Sequence, residues 1–190
     1  DVQKMLDCAA AHPEVKLGNY KKIRVHIPEP QVEDSEVDLL IEGHGRFNVP
    51  TGIKIAKELE QFKPMFFEEP TPPDSLEALK AVRDKSPVAI SAGERLYTRW
   101  DYRRFFDLMP ADYIQPDISH AGGIMELKKI SDIADENGVA VAVHMAESPI
   151  ACMAAVHTCA AMHNVLALEF HSVDVPWWSD MVNGLPKPII

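Results

Sequence analysis

Six residues able to hold a metal or move a proton recur along this sequence at nearly constant spacing. They are Glu42, Glu68, Glu94, Asp117, His144 and Glu169, separated by 26, 26, 23, 27 and 25 positions. Three successive glutamates brought to one place repel one another unless a cation neutralises them, and oxygen-only ligation suits magnesium. Magnesium keeps coordination positions for water and substrate oxygens, as a Lewis acid must. The aspartate and histidine that follow suit a different task. A carboxylate beside an imidazole fixes its tautomer and raises its basicity, which makes a general base. Glu169, if its surroundings keep it protonated, can donate a hydrogen bond to a developing oxyanion. Each residue alone has a plainer reading: a helix-capping glutamate, a packed His–Asp pair, a solvated strand end. The shared spacing tells against that reading for the set.

The elements between these residues explain the spacing. Each of the six follows a short apolar run: Val37–Ile41, Met65–Phe67, Val88–Ser91, Tyr113–Ile114, Val139–Val143 and Val165–Leu168. Amphipathic helical patterns over Thr51–Phe62, Ser75–Lys85, Arg99–Leu108, Ile124–Asn137 and Pro149–Met162 alternate with them. This rhythm predicts βαβ units and a parallel sheet. Helix starts are expected at Thr51 and Ser75 and in a first turn holding Pro149, with Gly138 just past a helix end. About 25 residues per unit matches a (β/α)8 barrel, which takes roughly 250 residues for eight units. All six residues then end successive strands on the rim where such barrels keep their active sites. Glu69, beside Glu68 and before Pro70, is expected to turn away from the site or to pair with a cation.

Three segments are expected. Residues 1–36 read as a fragmentary early barrel segment, with a helix over Val2–Ala11 and a strand over Lys22–Ile27. Residues 37–175 read as the main barrel, strands three to eight. Residues 176–190 read as irregular. The ten residues from Ile27 to Val37, with Pro28 and Pro30, are too few for a helical crossover.

Composition narrows the function. With 190 residues, 46% of them hydrophobic, the chain can bury one sizeable core. A formal net charge of -10 tells against nucleic acid as a partner but not against an anionic substrate, because a bound divalent cation reverses the local sign. Cys8, Cys152 and Cys159 lack metal-ligand spacing, and the last two read as small buried hydrophobes. No signal peptide is evident in residues 1–11, and the most apolar window, Val139–Val156, is broken by His144, Glu147 and Pro149. A cytoplasmic homo-oligomer without membrane contact is the expectation.

Five motifs carry a resemblance: IEGHGRF (Ile41–Phe47), FFEEP (Phe66–Pro70), SAGERL (Ser91–Leu96), QPDISHAGG (Gln115–Gly123) and AVHM (Ala142–Met145). Together they resemble the enolase superfamily, its mandelate racemase subgroup, and within that the sugar-acid dehydratases of the galactonate and mannonate dehydratase type. The resemblance implies a (β/α)7β TIM barrel, here incomplete at both ends and without most of the capping domain. It implies Mg2+ held by Glu42, Glu68 and Glu94, with Asp117 and His144 as the base dyad and Glu169 as the electrophilic residue.

The same resemblance makes His44 the acid that protonates a departing hydroxyl. Strand alternation from Glu42 also aims His44 at the site or at the loop above it. The implied reaction takes the C2 proton of an aldonate and eliminates the 3-hydroxyl, leaving a 2-keto-3-deoxy acid. Many racemases of the subgroup carry Lys-x-Lys where this sequence has Arg24-Val25-His26, which favours elimination. His26 nevertheless keeps an epimerase using two opposed bases as the alternative, and a catalytically silent barrel is a third. Arg46, Arg95 and His120, with Arg24 and His26, are candidate substrate contacts. The run His144-Met145-Ala146-Glu147-Ser148-Pro149 departs from the Asn-Pro-Leu-Gly-like run of galactonate dehydratases, so galactonate itself is not implied.

Overall fold

The computed structural model describes residues 38–172 and 175–185. The readings made for Val2–Ala11, Cys8, Lys22–Ile27, Arg24 and His26 lie outside the described residues. The chain forms two compact units, one up to Ile90 and one from Ser91.

In the first unit, β1 (Leu40–Glu42) pairs in parallel with β2 (Phe66–Glu68), and Glu42 stands opposite Glu68. The Phe67 N–H extends the ladder to the Ala89 carbonyl, at 2.8 Å. Helix α1 (Val49–Leu59), followed by a 3₁₀ turn over Glu60–Phe62, crosses between the two strands, and α2 (Leu76–Arg83) follows β2. Helix α1 starts earlier than the expected Thr51. Asn48 is its cap, accepting from the Thr51 N–H at 3.0 Å, and Pro50 sits in the first turn, where a missing N–H costs nothing. Ser75 caps α2 as expected, its hydroxyl accepting from the Ala78 N–H at 3.1 Å. Phe66, Phe67, Leu79, Val82 and Ile90 are buried.

The unit boundary falls within β3 (Ile90–Ala92). In the second unit β3 pairs with β4 (Tyr113–Ile114), β4 with β5 (Ala140–Val143) and β5 with β6 (Val165–Leu168), all in parallel. Helices α3 (Thr98–Leu108), α4 (Ile118–Ala121), α5 (Ile124–Glu136) and α6 (Pro149–Cys159) occupy the connections. Ile114, Val141 and Val143 are fully buried, as an unbroken apolar strand requires. Tyr102, Phe105, Leu127 and Ile130 are buried from the helices.

The boundaries shift by one to three residues in a consistent direction. β1, β2 and β3 begin three, one and two residues later than the apolar runs suggest and each ends one residue later, so Glu42 and Glu68 are the last strand residues rather than the first beyond them. The segment expected to be irregular contains a 3₁₀ turn over Trp178–Met181. Trp178 is buried with Met145 and Cys152, meets Phe170 edge-on at 5.1 Å, and donates its indole N–H to the Glu147 carbonyl at 2.9 Å. Cys152 is therefore the small core hydrophobe expected, while Cys159 is half-buried. Among the described residues, no helix is long and apolar enough to cross a membrane.

Candidate active site

In the first unit the strand ends are laced together by backbone. Beyond Glu42 the chain turns through His44 and Gly45, both at positive φ (49° and 65°). The Gly43, Gly45 and Phe47 N–H groups donate to the carbonyls of Glu68, Glu69 and Pro70 at 2.8, 2.7 and 3.1 Å. The IEGHGRF and FFEEP motifs are thus one structure. Gly43 has no substitute here, because a Cβ would stand 2.8 Å from the Glu68 carbonyl oxygen and 2.9 Å from that of Glu69.

His44 lies on this turn, not on the strand, so the turn sets its position and strand alternation does not. Its N–H donates to Glu42 Oε1, and its Nδ1 lies 3.9 Å from the same oxygen. Both side chains are about half exposed, whereas Glu68 is buried. Glu69 is also buried, at φ 36°. Arg46 is exposed at the end of the turn.

The second unit brings four of the six spaced residues together, three carboxyl groups around the imidazole of His144. His144 Nδ1 donates to Asp117 Oδ2 at 2.8 Å. Its Nε2 faces Glu94 Oε2 at 3.2 Å and Glu169 Oε2 at 3.8 Å. The His144 side chain is 12% exposed, and Asp117 is fully buried. Asp117 is fixed from its other side too, because Oδ1 caps α4 by accepting from the Ser119 and His120 N–H groups at 2.7 and 3.0 Å. Burial alone would raise the pKa of Asp117, but hydrogen bonds to His144, Glu147 and the His120 backbone outweigh it and bring it down to about 2. Burial alone would lower that of His144. The bond to Asp117 and the charges of Glu169 and Glu94 win, raising it to about 9.

Glu94 is nearly buried and is held from three directions. Its Oε1 accepts from Arg95 Nε at 3.0 Å, its Oε2 faces His144, and its carbonyl accepts from His120 Nδ1 at 2.7 Å. The backbone before it is pinned at Gly93 (φ 135°), whose carbonyl accepts from the buried Tyr102 hydroxyl at 2.6 Å. Arg95 and His120, expected as substrate contacts, thus each hold Glu94. Glu169 Oε2 is buried with no hydrogen-bond partner among the described residues.

Two residues of this cluster were not anticipated. His171 Nε2 bonds Glu169 Oε1, and its ring lies 5.9 Å from that of His144. It stands two residues beyond a strand-end glutamate, as His44 does beyond Glu42, and that repeated offset was the available signal. Glu147 is the other. Burial first, and then its hydrogen bond with Asp117, push its carboxyl pKa up. Only a contact made by folding reveals it.

Magnesium can be tested against the donors present. Glu42 and Glu68 offer carboxylates at register-matched strand ends, and Glu94 offers a buried one. These are hard oxygen donors only, and they fit the ion.

The chain belongs to the enolase C-terminal domain-like family, which it matches over residues 12–189. The parallel βα units of both compact units accord with that membership. Among individual relatives, it is 34% identical over 161 residues to the D-xylonate dehydratase of Haloferax volcanii, covering 84% of this chain and 39% of that protein. A mandelate racemase/muconate lactonizing enzyme-like protein from Rubrobacter xylanophilus is 41% identical, with a TM-score of 0.76 over 80% of this chain and 38% of that one. A Zymomonas mobilis protein provisionally assigned as a dehydratase is 34% identical, with a TM-score of 0.72 over 75% of this chain and 37% of that one. The chain therefore spans well under half the length of these relatives.

Proposed function

We propose that this chain carries the catalytic core of a magnesium-dependent sugar-acid dehydratase. The observation that carries the reading is the position of His144, with Nδ1 bound to Asp117 at 2.8 Å and Nε2 turned toward Glu94 and Glu169. Asp117 holds the tautomer in which Nε2 is the basic atom. His144 Nε2 removes the C2 proton of an aldonate. The electrons of the C2–H bond pass toward the substrate carboxylate, beside which Glu169 stands as the electrophilic residue. His44 then gives a proton to the C3 hydroxyl, the C3–O bond breaks, and water leaves. The enol that remains tautomerises to a 2-keto-3-deoxy acid. Proton transfer of this kind contributes roughly 10²–10⁴-fold.

Glu42, Glu68 and Glu94 hold magnesium in this reading, and the chemistry it supplies is positive charge beside the substrate carboxylate. Arg46 is a substrate contact. Arg95 and His120 serve chiefly by keeping Glu94 in place. The name of the Haloferax relative makes D-xylonate the first substrate to try.

Incubation with D-xylonate and a panel of aldonates in heavy water tests the reading. Keto-acid formation is expected. Return of substrate deuterated at C2 without keto acid would mean epimerisation instead. His144→Asn is expected to abolish C2 exchange while leaving magnesium affinity nearly unchanged, and a variant that still exchanges refutes the base assignment.

A further inference from the structure

His144, Glu169 and His171 form a cluster of a different character from the glutamates. Each offers a ligand atom, two imidazole nitrogens and one carboxylate oxygen, and the three atoms all lie within 4.8 Å of one another. His171 Nε2 already bonds Glu169, and His144 Nε2 faces the same carboxylate from the other side. Two histidines and a carboxylate are poor partners for magnesium. They suit zinc and its first-row neighbours, which take imidazole readily and accept three protein ligands with one open position.

The surroundings add what a transition-metal site needs beyond its ligands. A ligating histidine is usually oriented by a carboxylate on its other ring nitrogen, and Asp117 does this for His144 at 2.8 Å. Asp117 is in turn fixed by two backbone N–H groups. Three carboxylates, those of Glu94, Asp117 and Glu169, surround the His144 ring, so a dication there meets negative charge. His171 is half exposed, which leaves the cluster open to solvent.

We infer that His144, Glu169 and His171 form a second metal site, selective for zinc-type ions and separate from the magnesium ligands. Zinc bound there occupies His144 Nε2, the atom that takes the proton in the proposed reaction. The site is therefore an inhibitory one, and that consequence rests on the proposed function. Binding itself does not.

Cobalt(II), added to the chain in the presence of excess magnesium, is the probe, because its visible d–d absorption reports low coordination with nitrogen ligands. One equivalent is expected to bind with an intense visible band, and zinc is expected to displace it. Removing a single histidine ligand should weaken cobalt binding at least roughly tenfold, the lower end of what loss of a mere supporting residue costs. His171→Ala and His171→Gln are both expected to show this with unchanged circular dichroism. Glu94→Gln is expected to keep the cobalt band while losing magnesium binding.

Unchanged cobalt affinity in both His171 variants overturns the inference. So does loss of the band in Glu94→Gln, or its suppression by magnesium, either of which would put cobalt among the glutamates. A chain that binds cobalt as described but exchanges no C2 proton from any aldonate would retain this site and lose the proposed reaction.

Discussion

At the scale of single residues, the site works by fixing one end of a polar group so that the other end is aimed at its partner. Asp117 illustrates it: Oδ1 caps α4 and Oδ2 takes the His144 Nδ1–H. Its depressed pKa is a statement about stability. A carboxyl lowered from 3.8 to about 2 by folding stabilises the protein fully above the unfolded value, and that contribution disappears as pH falls through about 2. Asp117→Asn is therefore expected to cost about 2 kcal/mol at neutral pH. The gap from the unsubstituted chain should close between about pH 4 and pH 2, as thermal melts across that range would show. A gap independent of pH would mean that Asp117 acts through packing alone. His44 is the second residue to probe. In the proposed reaction it acts after proton abstraction, so His44→Asn should preserve C2 exchange in heavy water and stop keto-acid formation. Product formation at the original rate would remove it from the mechanism.

At the scale of elements, much was legible in the sequence because each strand announces itself by an apolar run and each ends in, or is followed within three residues by, a chemically distinctive residue. The turns were less legible. Thr51 looked like a helix cap, but Asn48 is the cap, since a proline two positions later makes the earlier start equally good. Helix α4 was missed because Ile118–Ala121 is too short to show a period, and its start depends on an aspartate that was read only as a catalytic partner. Glu147 and Trp178 were not readable at all. Their roles come from contacts across more than 25 positions, Glu147 against Asp117 and Trp178 against the Glu147 carbonyl. The glycine of the first turn has a consequence that can be measured. A methyl group at Gly43 would meet two carbonyl oxygens inside 3 Å, and backbone oxygens cannot swing aside as a side chain would. Gly43→Ala is expected to lose about 2 kcal/mol or more in urea melts, the scale of an overpacked position. A near-neutral result would mean that the lacing of Gly43–Phe47 onto Glu68–Pro70 is dispensable.

At the scale of the whole molecule, the proposed reading makes Glu42, Glu68 and Glu94 ligands of one ion. An ion held by all three binds the folded chain and not the unfolded one, so it must stabilise folding by mass action. At a hundredfold excess over its dissociation constant the gain is about 2.7 kcal/mol. Magnesium is thus expected to raise the midpoint of thermal unfolding in a concentration-dependent way. Replacing any one of the three glutamates by glutamine should abolish most of that rise, because each change removes a charged donor while keeping shape and volume. The comparison among variants carries more than the wild-type shift alone. If Glu94→Gln loses the response while Glu42→Gln and Glu68→Gln keep it, the ion does not depend on Glu42 or Glu68. The proposed three-glutamate site would then be wrong even with the His144–Asp117 pair in place. Equal loss in all three is the result that one shared cation demands.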